Sequence, residues 1–263
     1  MRILFLGDIV GRPGRKGVAS KVKGLRKDLG LDLIIANAEN ASQGIGLSIK
    51  NARDLLGCGI DILTSGNHIW KFQNLYSYLN TSERIIRPAN VSESAPGRGW
   101  TIFEVRDDLQ VAVINLQGRT FMTAADCPFR GADKILQDIP AEVKVVLVDF
   151  HAEATSEKQC LGRYLDGRVS VMVGTHTHVQ TNDARIFDEG TGYITDLGMC
   201  GPTESCLGLT PKPVIKRFVS GLPQKWKVAG GPVELQGVLI EINEESGKTT
   251  SIKTWNSGRI TGC

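Results

Sequence analysis

At 263 residues, with a formal net charge of +3 and 41% hydrophobic residues, the chain is long enough to bury a sizeable core and lacks a field strong enough to point to nucleic acid. No apolar run approaches the ~20 residues that span a bilayer, which argues against a membrane protein. Six cysteines (Cys58, Cys127, Cys160, Cys200, Cys206, Cys263) are scattered without a CxxC pair, so reduced thiols in a soluble, cytoplasmic protein are expected rather than a disulfide framework.

The opening RILFLGD reads as a first strand and not a signal peptide, because its short apolar stretch runs into Gly7 and Asp8 with no small-residue cleavage site. GRPGRKG at 11–17 lacks the order of a phosphate-binding loop, and QGIG at 43–46 is no dinucleotide fingerprint. The first is predicted to turn into a helix begun by Pro13, whose N-terminus could also favour phosphate. Arg12, Arg15, Lys16, Lys21, Lys23, Arg26 and Lys27 fall at helical spacing and are expected on a solvated face.

Further along, LDLIIAN, DILTSG, VAVINL, VKVVLVDF and VSVMVG read as strands, and 13–29, 48–57, 70–79 and 154–165 as amphipathic helices between several of them. That alternation predicts an α/β fold with a largely parallel, buried sheet. After Gly190 the pattern changes to TGYITDLG and then to two strand-like runs flanking Glu244–Lys248, a C-terminal antiparallel hairpin that implies a second sheet. Segments 117–130 and 200–232 lack periodicity and are expected to be lids, interfaces or disordered segments. With no repeat and no linker, residues 1–263 read as a single domain.

The chemistry gathers where strands end. Asp8, then Glu39 and Asn40, Asn67 and His68, His151, and finally His176 and His178 each follow an apolar run, so all four histidines of the chain fall at the edge where open α/β sheets bind ligands. Imidazole, carboxylate and amide oxygens form the mixed ligand set of Zn, Fe, Mn or Co. Eight such groups exceed the needs of one ion, which favours two ions and a free acid–base group. In VMVGTHTHVQ an extended backbone would turn residues i and i+2 to one side, so His176 and His178 could serve adjacent metals with Thr177 as a spacer. Asp149 and Glu153 flank His151 and could orient its ring, or serve as caps or solvated groups. Cys200 and Cys206 are expected to fill core and loop space.

The ordered stretches FLGDIVGRPGR, NAENASQGIG, TSGNHIW, DFHAEATSEK, GTHTHVQT and TDLGMCGP resemble the calcineurin-like metallophosphoesterases, and within them the bacterial YmdB-like branch of cyclic-nucleotide phosphodiesterases. The resemblance implies a metallophosphoesterase-like sandwich of two mixed β-sheets flanked by helices, with the metal site at strand C-terminal ends. It implies one ion held by Asp8, Glu39, Asn40 and His178 and another by Glu39, Asn67, His151 and His176. Glu39 would bridge them, and His68 would be left as general acid. The broader superfamily has a histidine where Val10 stands and an aspartate where Glu39 stands; in the resembling branch Asn40 supplies the missing ligand.

The implied cofactors are two divalent or mixed-valence ions, iron or manganese first and zinc as an alternative, holding a bridging hydroxide that attacks a phosphodiester in line. With neutral imidazoles, two carboxylates and one hydroxide leave a centre of roughly +1, suited to a phosphodiester monoanion. The expected partner is a small-molecule phosphodiester, a 2′,3′- or 3′,5′-cyclic nucleotide; homo-oligomerisation is left open. Two other readings stand beside this one: a metal-dependent hydrolase of another ester or amide bond, and a metal-binding regulatory protein acting through a partner surface.

Overall fold

Apolar residues fill both faces of most strands, the pattern of sheets covered on two sides. In the computed structural model, which describes residues 1–262, the chain runs β1 (Arg2–Leu6), β2 (Asp8–Ile9), α1 (Gly11–Asp28), β3 (Leu33–Asn37), α2 (Ile49–Gly57), β4 (Ile62–Thr64), α3 (Tyr76–Thr81), β5 (Trp100–Arg106), β6 (Leu109–Gln117), α4 (Pro128–Asp138), β7 (Val145–His151), α5 (Thr155–Tyr164), β8 (Val171–Thr175), β9 (Arg185–Ile186), β10 (Gly192–Ile194), β11 (Met199–Pro202), α6 (Pro211–Ser220), β12 (Val233–Ile242) and β13 (Thr249–Asn256).

The strands form two mixed sheets flanked by helices. One is seven-stranded in the order β2-β11-β12-β1-β3-β4, with β13 added to β12; the other is six-stranded, β5-β6-β7-β8-β10-β9. Parallel pairing holds for β1, β3 and β4 and for β6, β7, β8 and β10. β12 runs antiparallel to β1, β11 and β13, and β5 and β9 form antiparallel edges, so the expectation of largely parallel strands describes only part of each sheet. The C-terminal hairpin is present as β12 and β13, although it joins the first sheet.

Two-residue periodicity sorts the strands into three cores. Ile3, Phe5, Leu33, Ile35 and Ile62 face Val111, Val113, Val145, Leu147, Val171 and Val173 between the sheets. The alternate residues Leu4, Ile34 and Ala36 meet Val18 and Val22 of α1 and Leu55 of α2. On the far side Val146, Val148 and Phe150 meet Ala132 and Ile135 of α4 and Leu161 of α5.

Several boundaries differ from the sequence pattern. Phe72 adopts an extended conformation that splits 70–79 into short 3-10 turns and α3. α4 and α6, both begun by a proline in the first turn, emerge from segments that lacked periodicity, and α6 buries none of its residues. The five described cysteines are free, with Cys200 in the core; Cys263 lies outside the described residues. Among the described residues no helix is long and apolar enough to cross a membrane.

The glycines of GRPGRKG serve packing. A Cβ at Gly14 would stand 2.2 Å from the Cys200 carbonyl oxygen, so α1 lies directly on β11, while the basic residues Arg12, Lys16, Lys21, Lys23 and Lys27 face solvent. Gly14→Ala should therefore destabilise the protein by about 1–3 kcal/mol or more through overpacking. Gly24→Ala, whose Cβ meets nothing nearer than Asp28 Oδ2 at 3.9 Å, should stabilise the same helix by about 0.5–1 kcal/mol. Urea unfolding of the two variants checks the contrast.

Candidate metal centre

The inward-facing positions that are apolar along each strand become polar at one end of the sandwich. Asn37 follows Leu33 and Ile35 in β3, Thr64 follows Ile62 in β4, Asp149 follows Val145 and Leu147 in β7, and Thr175 follows Val171 and Val173 in β8. These four buried side chains bind one another across the two sheets: Thr175 donates to Asp149 Oδ1 at 2.7 Å, Thr64 donates to Asp149 Oδ2, and Asn37 Nδ2 donates to Asp149 Oδ2 at 3.2 Å. Burial, only partly opposed by His151, pushes the Asp149 carboxyl up to about 6.

Above this layer strand ends and the loops that follow them bring together Asp8, Glu39, Asn40, His68, His151, His176 and His178. Because the Thr175 hydroxyl gives its proton to Asp149, it can accept from His151 Nδ1 at 2.9 Å, which leaves Nε2 facing Glu39 Oε1 at 3.1 Å and His176 Nδ1 at 3.0 Å. His176 turns Nε2 to the Glu153 carboxylate at 3.0 Å, so its Nδ1 faces inward. His178 donates from Nδ1 to the Leu207 carbonyl at 3.1 Å and directs Nε2 toward Asp8 Oδ1 at 3.6 Å and Asn40 Nδ2 at 3.1 Å. Three imidazoles thus have one nitrogen fixed by an outer acceptor and the other turned inward.

Glu39 stands between two foci. Its Oε1 lies with His151 and His176 in a group whose ligand atoms are all within 4.8 Å of one another, and the same oxygen is 3.3 Å from Asn40 Nδ2, which also approaches Asp8 and His178. Rotating the Asn40 amide by 180° would present its oxygen to that second focus. His68 caps the pair: its backbone N–H donates to Glu39 Oε2 at 2.9 Å, and its Nδ1 lies 2.8 Å from Asn40 Oδ1 and 3.0 Å from Glu39 Oε1.

The electrostatics call for positive charge. Burial opposes ionisation of Glu39, yet His151 and His68 hold it well below the usual carboxylate value; Asp8 is likewise lowered, against burial, by His178 and His151. Despite its own burial, His151 is raised by Glu39, Asp8 and Asp149 to about 9, and His178 is raised by Asp8. Burial and the neighbouring His151 together push His176 down to about 4.

A cation fits this donor set. Asn67 Oδ1 is buried without a hydrogen-bond donor among the described residues, an acceptor that a cation would satisfy. At Gly66 a Cβ would stand 2.1 Å from His151 Cδ2 and 2.5 Å from Glu39 Oε2, so only glycine lets the Asn67 loop close on these ligands.

The structure also revises how the histidines converge. β8 ends at Thr175, and His176 and His178 take φ of 102° and 63°, so an extended i, i+2 arrangement is not what turns them to one pocket. Thr177 is no mere spacer: its N–H and hydroxyl donate to Asp196 Oδ2 at 3.1 and 2.7 Å, and the same oxygen receives the buried Lys158 Nζ at 2.7 Å. Asp149 orients His151 through Thr175, whereas Glu153 pairs with His176 and not with His151. Asn37, Thr64, Thr175, Lys158 and Asp196 went unnoticed in the sequence. A polar residue closing an apolar inward series, or a lysine on the same helical face as Leu161 and Gly162, is the available signal.

The YmdB-like protein family model matches residues 4–255. A 2′,3′-cyclic-nucleotide 2′-phosphodiesterase of Bacillus subtilis is 45% identical over 96% of both chains. Among solved structures, a hypothetical protein of Thermus thermophilus superposes with a TM-score of 0.91 at 38% identity, covering 97% of this chain and 98% of that one. A phosphatase of Mycoplasma pneumoniae gives 0.93 at 31%, covering 99% and 94%.

Two tests follow from the geometry. Thr177→Val should weaken manganese binding about 10–100-fold while leaving the circular dichroism spectrum intact, as read by titration calorimetry. The proton and a metal also compete at His151. Its folded value of about 9 exceeds its ordinary 6.5, so metal-free protein should be stabilised below pH 6.5 and lose that contribution as pH rises through 9. The extra stabilisation by manganese should instead grow over the same interval, because binding displaces the proton. Thermal melts with and without a chelator at several pH values measure both trends.

Proposed function

The chain belongs to the YmdB-like protein family, and from that membership and the inward convergence of its histidines we propose that it is a metal-dependent phosphodiesterase acting on 2′,3′-cyclic nucleotides. The observation that carries the reading is the set of three imidazoles, each anchored on its outer nitrogen and open on its inner one, around the buried carboxylates of Asp8 and Glu39. Neither a structural core nor a simple binding surface needs three imidazoles turned inward on two buried carboxylates.

His151, His176, Asn67 and Glu39 would hold one ion, and Asp8, Asn40, His178 and Glu39 a second. A pair of ions bound there would supply a lowered water pKa and countercharge for phosphoryl oxygens. The rest of the reaction belongs to the protein. With ions held there the centre would carry net positive charge and suit a cyclic phosphate monoanion. As the P–O2′ bond breaks, the O2′ alkoxide needs a proton.

His68 would give it. Glu39 Oε1, 3.0 Å from its Nδ1, holds the ring whichever way the Asn40 amide is turned, and Nε2 has no hydrogen-bond partner among the described residues. Transfer from Nε2 to O2′ yields the 3′-monoester, with the oxygen of water on phosphorus and its proton balance restored from solvent. General acid catalysis of this kind contributes about 10²–10⁴-fold.

His68→Ala should accordingly retain bound metal while losing about 10²–10⁴ in kcat on 2′,3′-cyclic nucleotides. Asp8→Ala and Glu39→Ala should lose metal as well as turnover. Elemental analysis beside rate measurements distinguishes these outcomes, and wild-type turnover in the His68 variant would remove that residue from the reaction. A substrate screen spanning 2′,3′- and 3′,5′-cyclic nucleotides, linear diesters and monoesters sets the range of the activity.

A further inference from the structure

Beside the candidate metal centre lies a cleft of about 260 Å³ lined by His178, Met199, Gly201, Thr203, Glu234 and Gln236. Its position follows from strand periodicity. Val233 and Leu235 of β12 pack in the core beneath α1, which turns Glu234 and Gln236 to the opposite face of the strand. Further along that face, Val238 and Ile240 enter the core between the sheets. At Glu234 the same space opens beside His178.

The cleft is polar in one particular sense. Gln236 is fixed at both ends of its amide: Oε1 accepts from Met199 N at 3.2 Å, and Nε2 donates to Glu234 Oε2 at 2.8 Å. Gln236 is the only hydrogen-bond partner of the Glu234 side chain among the described residues, and no lysine, arginine or histidine pairs with it there. A half-buried carboxylate is thus aimed by a neighbouring amide and left with Oε1, and a second lone pair on Oε2, uncommitted.

We propose that this cleft is the nucleobase subsite and that Glu234 selects guanine, an inference that rests on the phosphodiesterase reading of the adjoining centre. A carboxylate only accepts, so it favours the base edge with two adjacent donors. Guanine alone offers this, with N1–H beside the N2 amino group. Adenine and cytosine place a ring acceptor next to their amino group, and uracil places one N–H between two carbonyls; each would set a lone pair against the carboxylate. Met199 supplies a polarisable thioether against which a ring can rest. Entry past His178 would leave the ribose cyclic phosphate at the metal centre.

The test uses manganese-loaded protein and four readings: kcat/KM for 2′,3′-cyclic GMP and for 2′,3′-cyclic AMP, each normalised to bis(4-nitrophenyl) phosphate, and the Kd of 3′-GMP and of 3′-AMP. The wild type should favour guanine about ten-fold or more in both turnover and binding. Glu234→Gln, which keeps an acceptor for Gln236, should bring both ratios to within about two-fold of unity. Equal use of the two bases by the wild type, or a guanine preference that survives in Glu234→Gln, overturns the proposal. If no diester is hydrolysed, base-free substrate included, the phosphodiesterase reading fails, and the ratio of the two Kd values still decides whether the cleft reads guanine.

Discussion

Negative charge buried at one end of the sandwich is the constraint around which the rest of the structure is arranged. Asp8, Glu39 and Asp149 are all fully buried, and removing a carboxylate from water costs several kcal/mol unless charge and hydrogen bonds compensate. Asp149 accepts from Thr64, Thr175 and Asn37, while burial raises its carboxyl to about 6. Asp8 and Glu39 are stabilised as anions by imidazoles and by backbone N–H groups of His176 and His68. The polar layer beneath and the histidines above are therefore two answers to the same problem. Only the upper one gathers several imidazole nitrogens and carboxylate oxygens at one spot.

Support for the upper layer comes from outside it. The turn that carries His176 and His178 holds two non-glycine residues at positive φ, conformations that persist only when their surroundings enforce them. Asp196 does so from β10's exit loop by accepting two hydrogen bonds from Thr177, and Lys158, buried on the inner face of α5, balances its charge. Truncating Lys158 would leave Asp196 buried and unpaired, so helix α5, with no direct hold on a candidate ligand, is energetically tied to the placement of two histidines.

Much of this was legible in the sequence, and the reasons are local. Continuous apolar runs such as LIIAN and VKVVLVDF can only be strands covered on both faces, and the residues that close them are the ones brought together here. The ordered motifs carried the family and the two-sheet sandwich. What escaped notice depends on contacts between distant segments. α4 and α6 begin at prolines within stretches that lack apolar periodicity, and α6 has no buried face for such periodicity to report. The i, i+2 argument for THTH gave the right convergence for the wrong backbone, because a strand ending at Thr175 and a carboxylate twenty residues later are not written in the tetrapeptide. Glu153 lies nearer His151 in sequence, where it could orient that ring, cap a helix or face solvent, and the fold brings it to His176.

Val10 and Glu39, where the motifs depart from the pattern they resemble, have a common physical sense. Val10, standing where a histidine is usual, is buried against Gly201 and Gly208, so close that a Cβ at Gly208 would lie 2.5 Å from Val10 Cγ1. It contributes packing to the loop whose Leu207 carbonyl anchors His178. Next to this position stands Asn40, whose backbone carbonyl oxygen accepts from Gly11 N and whose side-chain amide reaches Asp8 and His178. Glu39 exchanges one carboxylate for a longer one. Each change swaps neutral for neutral or anion for anion. The length of the glutamate side chain lets Glu39 reach His151 and also accept from the backbone of His68. The same carboxylate thereby fixes the positions of His151 and His68 together.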